Sequence, residues 1–258
     1  ISNGKEWSGV KITVLLEEEA YLKQPNPHTR NASQALANKI ARQFANNLDI
    51  IAVVGHAPSS EAVPASVTYR SYGILFIAPA SSNAQLTRPN FNLTFRTIPN
   101  NQRMAEQLAG FCALNRHYKK MVLLNVRSDY GEELANSFAD SASQLGIQIV
   151  HSGSFFAGTT NFRDNVIATF KMKEFDAIFL AAGSKDGGEL IKQSRDIDVT
   201  QPCIGGDALY SEKLANIAGK KGAAEGTVVP TVYKPTFNVA QPFIQEYKEK
   251  YKEEPEIW

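Results

Sequence analysis

Cysteine is scarce in this sequence. Cys112 and Cys203 are the only two in 258 residues, far apart and in no CxxC spacing. A zinc ribbon and a thioredoxin-like redox site therefore have no support. No apolar run reaches the length of a membrane span, and the longest, such as 74–80, are strand-sized. Neither sign of charge is in excess: 27 Lys and Arg stand against 26 Asp and Glu, a net charge of +1. That balance leaves no electrostatic footprint for nucleic acid or an anionic membrane. The four histidines, His28, His56, His117 and His151, stand at no metal-ligand spacing from one another. There is no GxSxG elbow, no GxxxxGK[ST] loop, no HExxH and no GxGxxG. The chain nominates no catalytic residue, metal ligand or cofactor.

What is present is ordinary for a folded protein. Hydrophobic residues make up 43% and charged residues 21%, which excludes disorder and low-complexity readings. The length allows one large domain or two small ones.

Short β-branched runs alternate with helical patterns along the whole chain. Strands are predicted over 10–16, 50–55, 74–78, 93–97, 121–126, 147–156, 177–182, 202–205 and 226–232. Helices are predicted over 32–46, 60–72, 102–115, 131–145, 162–173, 188–195 and 241–251. The runs IIAVVG (50–55) and AIFLAA (177–182) are apolar throughout, as expected of parallel strands covered on both faces. This alternation argues for an α/β fold with mostly parallel sheets. Pro99-Asn100-Asn101 interrupts the pattern near the middle and could join two similarly built lobes. Cys112 on an apolar helix face and Cys203 within a strand are expected to be buried, reduced thiols.

In open parallel sheets, ligands bind beyond the carboxyl ends of strands. Four such turns carry similar equipment: His56-Ala57-Pro58-Ser59-Ser60, Ala80-Ser81-Ser82-Asn83, Arg127-Ser128-Asp129-Tyr130-Gly131 and Gly205-Gly206-Asp207-Ala208-Leu209-Tyr210. Hydroxyls and free N–H groups at helix starts suit a carboxylate. An acidic side chain suits an ammonium, and a tyrosine offers an apolar wall with a polar tip. For any single turn, plain helix capping is the commoner explanation. Capping alone predicts no particular wording across four turns. A lone His56 after a strand is more often a structural hydrogen-bonder than a site residue. The run Glu17-Glu18-Glu19 reads as a solvated strand end rather than as paired catalytic carboxylates.

At these residues the sequence resembles the type I periplasmic binding proteins, in the branch of the leucine/isoleucine/valine-binding proteins and related receptor ligand-binding regions. The matching stretches run in family order: VVGHAPSSEAVPAS (53–66), YGILFIAPASSNAQLT (72–87), FRTIPNN (95–101), DYGEELANSF (129–138) and IGGDALYSEKLANIAGKKGAAEGTVV (204–229). The resemblance implies two doubly wound parallel-sheet lobes joined by a hinge, with residues 1–100 and 231–258 in one lobe and 101–230 in the other. It implies a small polar ligand in the cleft, an amino acid foremost. The candidate ligand-binding set is Ser59, Ser60, Ala80, Ser81, Ser82, Tyr130 and Asp207. In that set Ser59 and the segment Ala80, Ser81, Ser82 grip a carboxylate, with Ser82 also reaching the amine. Asp207 takes the ammonium, and Tyr130 packs over the ligand from the second lobe.

The resemblance further implies a periplasmic or extracellular location and the membrane permease of an ABC transporter as partner, with no nucleic acid and no direct membrane insertion. Two departures stand out. An aromatic residue expected near Gly183 is replaced by the small run Ala181-Ala182-Gly183-Ser184, so a differently lined pocket is expected. The family's strand and helix before the segment matching 1–16, and its segments beyond 257–258, have no counterpart, so the chain is expected to be part of a longer protein. A sensory ligand-binding domain would use the same cleft. An enzyme is disfavoured by the lack of a nucleophile–base constellation, and a repressor effector domain by the lack of a helix-turn-helix.

Overall fold

The computed structural model describes residues 27–87, 92–219, 222–231 and 238–255. The expected strand at 10–16 and the acidic run at 17–19 lie outside them. The elements in chain order are α1 (Pro27–Ala45), β1 (Ala52–Val54), α2 (Ser59–Tyr72), β2 (Leu75–Ala78), β3 (Thr94–Arg96), α3 (Asn101–Gly110), β4 (Lys120–Val126) and α4 (Asp129–Gln144). They continue with β5 (Gln148–Phe155), α5 (Phe162–Asn165), β6 (Ala177–Ala181), α6 (Ser184–Arg195), β7 (Cys203–Gly205), α7 (Glu212–Ala218) and α8 (Gln241–Tyr251). No helix among the described residues is long and apolar enough to cross a membrane.

The strands form two parallel sheets, ordered β1-β2-β3 and β5-β4-β6-β7. In the first, Val53 stands beside Phe76 and Phe76 beside Thr94. In the second, Leu123 pairs with Phe179 and Phe179 with Ile204. Side chains alternate across a strand, so this register sorts the second sheet into two apolar faces. Met121, Leu123, Phe179 and Ile204 pack under α3 and α4 with Leu134, Phe138 and Ala142. Val122, Leu124, Ile178 and Leu180 pack under α5, α6 and α7 with Phe162, Leu190 and Leu214. The Phe138 and Phe179 rings stack at 3.6 Å, tying α4 to the middle of the sheet.

Local chemistry explains where the helices begin and end. Ser128 Oγ accepts from Gly131 N–H at 3.0 Å and starts α4. Gly146, at φ 76°, turns the chain out of it. Asn100 caps α3 through Arg103 N–H at 2.8 Å. The helix then closes in a single π turn over 111–115, inside the span predicted as continuous α-helix. The helix expected over 162–173 breaks after Asn165. Val166 leaves helical geometry at φ −124°, and a short 3₁₀ turn, Ile167–Thr169, follows. The Thr169 hydroxyl bonds the Val166 carbonyl, a local alternative that competes with helix in a β-branched run.

Helix α6 starts at Ser184, four residues before the predicted start at 188. Gly187 and Gly188 lie inside it, because a Cβ there would meet Leu209 Cδ2 at 2.4 Å and Ile217 Cβ at 2.8 Å. The pair lets α6 press against α7 rather than forming a turn. The strand expected over 226–232 is reduced, among the described residues, to one bridge between Val228 and Ile204. Cys112 and Cys203 are buried free thiols. Burial pushes both up to about 12.

The first sheet is packed on one face only by the described residues. Val53, Phe76 and Ala78 meet Ala41 and Ala45 of α1 and Ala62, Ala65 and Tyr69 of α2. On β1 the burial alternates, and Val54 stays 69% exposed, with Ile51 before it 75% exposed. The expectation that IIAVVG is covered on both faces is therefore corrected for the described residues, which bury β1 at Val53 alone.

Candidate functional site

The four turns singled out above all lie at the carboxyl ends of parallel strands. β1 leads into the turn before α2, β2 into residues 79–83, β4 into the start of α4, and β7 into residues 206–209. Their side chains gather in two clusters joined by the first turn of α4.

The first cluster belongs to the β1–β2 side. Ser59, the first residue of α2, is buried, as are Ser81, Ser82 and Asn83. Ser81 Oγ donates to Ser59 Oγ at 3.2 Å, and Asn83 N–H donates to the same Ser59 oxygen at 3.3 Å. Ala80 is half-buried beside them. Ser60 is half-buried on the next position of α2, and no hydrogen bond ties its side chain to this cluster. The cluster is made of neutral hydroxyls, an amide and helix-start N–H groups, a donor-rich surface with no fixed charge.

The second cluster carries the charge. Asp207 follows β7 and is 3% exposed. Its Oδ1 accepts from the Tyr130 hydroxyl at 2.9 Å and from Ala208 N–H at 3.0 Å. Burial pushes the Asp207 carboxyl above its ordinary value, while the Tyr130 hydroxyl and backbone N–H groups pull the other way. The Tyr130 phenol is raised well above its usual range by burial and by the Asp207 charge. The pair closes up because residue 206 is glycine: a Cβ there would sit 2.1 Å from the Tyr130 hydroxyl and 2.5 Å from Leu134 Cδ2.

The two clusters meet through α4. Asn83 Nδ2 donates to the Asp129 carbonyl at 3.0 Å, and Gln34 Nε2 of α1 reaches Asp129 Oδ2 at 3.4 Å. An unbroken path of contacts thus runs from Ser59 through Asn83 and Asp129 to Tyr130 and Asp207. One end of this path offers donors and the other a carboxylate. That polarity matches a molecule carrying an anionic and a cationic group together.

Beyond the candidate ligand-binding set, other side chains stand at these strand ends; of them the sequence offers Tyr210, within the fourth turn, but not Asp186 or Phe156. Asp186, near the start of α6, is buried and accepts from Gly158 N–H at 2.8 Å, with its carboxyl raised by burial. Phe156 follows β5, 40% exposed under the Arg127 guanidinium at 4.7 Å, and Tyr210 follows β7, 39% exposed. Aromatic surface at this end therefore comes from residues after β5 and β7, the two outer strands of the second sheet, rather than from Gly183 after β6. Position after a strand was the available signal for all of them. His56 is structural: buried, with Nε2 2.8 Å from the Tyr69 hydroxyl and its ring against Tyr69 and Phe76. Among the described residues no group of three or more His, Cys, Asp or Glu is placed to hold a metal.

A family model described as periplasmic binding protein matches residues 30–258. The leucine-specific-binding protein of Salmonella typhimurium is 30% identical over 195 residues, covering 76% of this chain and 51% of that protein. The Leu/Ile/Val-binding protein of Citrobacter freundii is 29% identical over 195 residues, with the same coverage. The chain spans about half the length of the curated relatives it matches. Among solved structures, an ABC transporter substrate-binding protein from Desulfitobacterium hafniense in complex with Leu aligns at a TM-score of 0.74 and 27% identity, covering 97% of this chain and 69% of that one. The branched-chain amino acid transporter substrate-binding protein of Streptococcus pneumoniae, solved with isoleucine, aligns at a TM-score of 0.82 and 24% identity, covering 97% and 68%. The two-sheet arrangement of parallel α/β units is shared with these structures.

Proposed function

The chain belongs to the periplasmic binding protein family, and from that premise we propose that it captures an amino acid between two lobes without transforming it. The lobes divide at residues 1–100 with 231–258, and 101–230. The observation that carries this reading is the polarity of the site. A buried carboxylate, Asp207, and the donor cluster of Ser59, Ser81 and Asn83 lie at opposite ends of one path of contacts. An α-ammonium between Asp207 and the Tyr130 ring, with its α-carboxylate on the Ser59 and 80–82 donors, would satisfy both ends at once. Contacts made to both lobes favour the closed arrangement, so ligand shifts the equilibrium toward closure.

The named ligands of the relatives support an amino acid: leucine, isoleucine and valine in the relatives' names, isoleucine and leucine in the solved complexes. On this reading the protein works outside the cytoplasm, in the periplasm or at the cell surface. It hands its ligand to the membrane permease of an ABC transporter. Calorimetric titration of the full chain against a panel of L-amino acids tests the proposal. One or a few should bind saturably at one site. A panel that gives no binding overturns it.

A further inference from the structure

Helix α4 does more than present Tyr130. Its next turn carries Glu133, whose two carboxylate oxygens accept from Ala84 N–H at 2.9 and 3.1 Å. Oε2 also accepts from Asn101 Nδ2 at 2.7 Å. Ser128 already caps α4, so Glu133 serves no need of its own helix. Ala84 opens the 3₁₀ turn Ala84–Thr87, directly after the donor cluster, and belongs to the β1–β2 side. The Asn101 that shares the carboxylate opens α3, where the chain has just crossed between sheets, and its own N–H donates to Ser82 O at 2.8 Å.

The loop is held from its other side as well. Arg96 of β3 donates from Nη1 to Asn83 O at 2.8 Å and from Nη2 to Thr87 Oγ1 at 2.8 Å. A guanidinium therefore takes the carbonyl of the Asn83–Ala84 peptide while a carboxylate takes its N–H. Charge-assisted bonds of this kind are shorter and stronger than neutral ones. Burial lowers the Arg96 guanidinium from its ordinary value, and the Glu133 charge nearby works against that lowering.

We infer that Glu133 is a positioning residue: from the second lobe it fixes the 81–84 loop of the first, so that the donors of that loop and the placement of the two lobes are set together. The ligand-binding half of this inference rests on the proposed function; the interlobe half does not. A loop fastened before ligand arrives loses less freedom on binding. Two lobes fastened near their crossover explore fewer relative orientations, which raises the fraction competent to close.

Two measurements on the full chain test it. Cysteines introduced by Val67→Cys on α2 and Met172→Cys in the second lobe take spin labels, since both positions are exposed and the native thiols are buried. Without any ligand, Glu133→Ala should broaden the interlobe distance distribution about twofold relative to the labelled parent. Glu133→Gln keeps a carbonyl oxygen for Ala84 N–H and should broaden it less; a thermal melt of each variant confirms folding. In titrations with L-leucine, L-isoleucine, L-valine and L-glutamate, whichever binds the parent should bind Glu133→Ala roughly tenfold more weakly. A distance distribution unchanged in folded Glu133→Ala overturns the inference. So does an unchanged affinity, for the role toward the loop. A parent that binds none of the four while its Glu133→Ala distribution broadens supports the interlobe role and counts against the proposed function instead.

Discussion

The two sheets are built from the same unit and packed differently. In the second sheet, every residue of β6 and β7 is buried and β4 is buried from Met121 onward. Helices cover both of its faces. In the first sheet, Val53 and Phe76 are buried, while Val54 and Phe95, on the opposite face, stay 69% and 52% exposed. A parallel sheet is stable when both faces are covered. The second sheet meets that condition within residues 101–218; the first meets it on one side among the described residues. The site inherits the contrast. The charged half stands on the sheet covered on both faces, and the neutral half stands on the sheet that, among the described residues, has its core on one face.

The sharpest way to break this comparison is to hollow out the second sheet. Phe179 is fully buried and stacked on Phe138. Phe179→Ala should cost about 3–5 kcal/mol of unfolding free energy by denaturant titration. A cost below about 1 kcal/mol would mean that this core is not what holds the lobe.

Asp207→Ala tests the charged half of the site. Removing one partner of a buried ion pair costs about 3–5 kcal/mol, so affinity for an amino acid should fall by roughly two to three orders of magnitude or more. If Asp207 only starts the turn at 207–209, affinity stays and stability alone drops, by about 1 kcal/mol. The same carboxyl sets a pH dependence. Its value is raised in the protein, and an ammonium is held by the ionised form. Binding should therefore weaken on acidification sooner than an ordinary aspartate would dictate. Asp207→Asn should lack that acid limb. For folding the sign is opposite. A raised carboxyl contributes stability below its unfolded value, and that contribution is lost as pH rises through the folded value.

Ser59→Ala tests the neutral half and should cost less, about 1–3 kcal/mol of binding, because backbone donors remain. Equal losses for Asp207→Ala and Ser59→Ala would erase the distinction between the halves. The smallest effect belongs to the open face: Val54→Ser should change unfolding free energy by no more than about 0.5 kcal/mol. A loss above about 1.5 kcal/mol would show that this face is covered in the folded protein in solution.

Much of this architecture was legible before the structure. AIFLAA reads as a strand buried on both faces and is one. IIAVVG reads the same way and, among the described residues, is covered on one side only, because an apolar run reports what a strand can bury, not which neighbours arrive to cover it. The sequence starts this helix at Gly188 and leaves Gly187 outside it; only the approach of Leu209 and Ile217 shows why glycine is needed at both positions within a helix. Hydroxyls and an acid after strands pointed to Ser59, Ser81 and Asp207, because strand-end position is itself a chemical signal. Glu133 was harder to find. Its spacing of four from Asp129 places both on one helical face, yet nothing along the chain says that a loop 49 residues away in sequence rests on that face.

The burial of β6 also has a consequence in time. Its backbone lies between β4 and β7 in the middle of the sheet, under side-chain layers on both faces. Its amides can meet solvent only when the whole lobe opens, an event with the free energy of global unfolding. Lobe movements on the microsecond to millisecond scale leave such a strand untouched. The proposed ligand-binding residues stand on turns at the rim of a sheet that rearranges only when the protein itself comes apart.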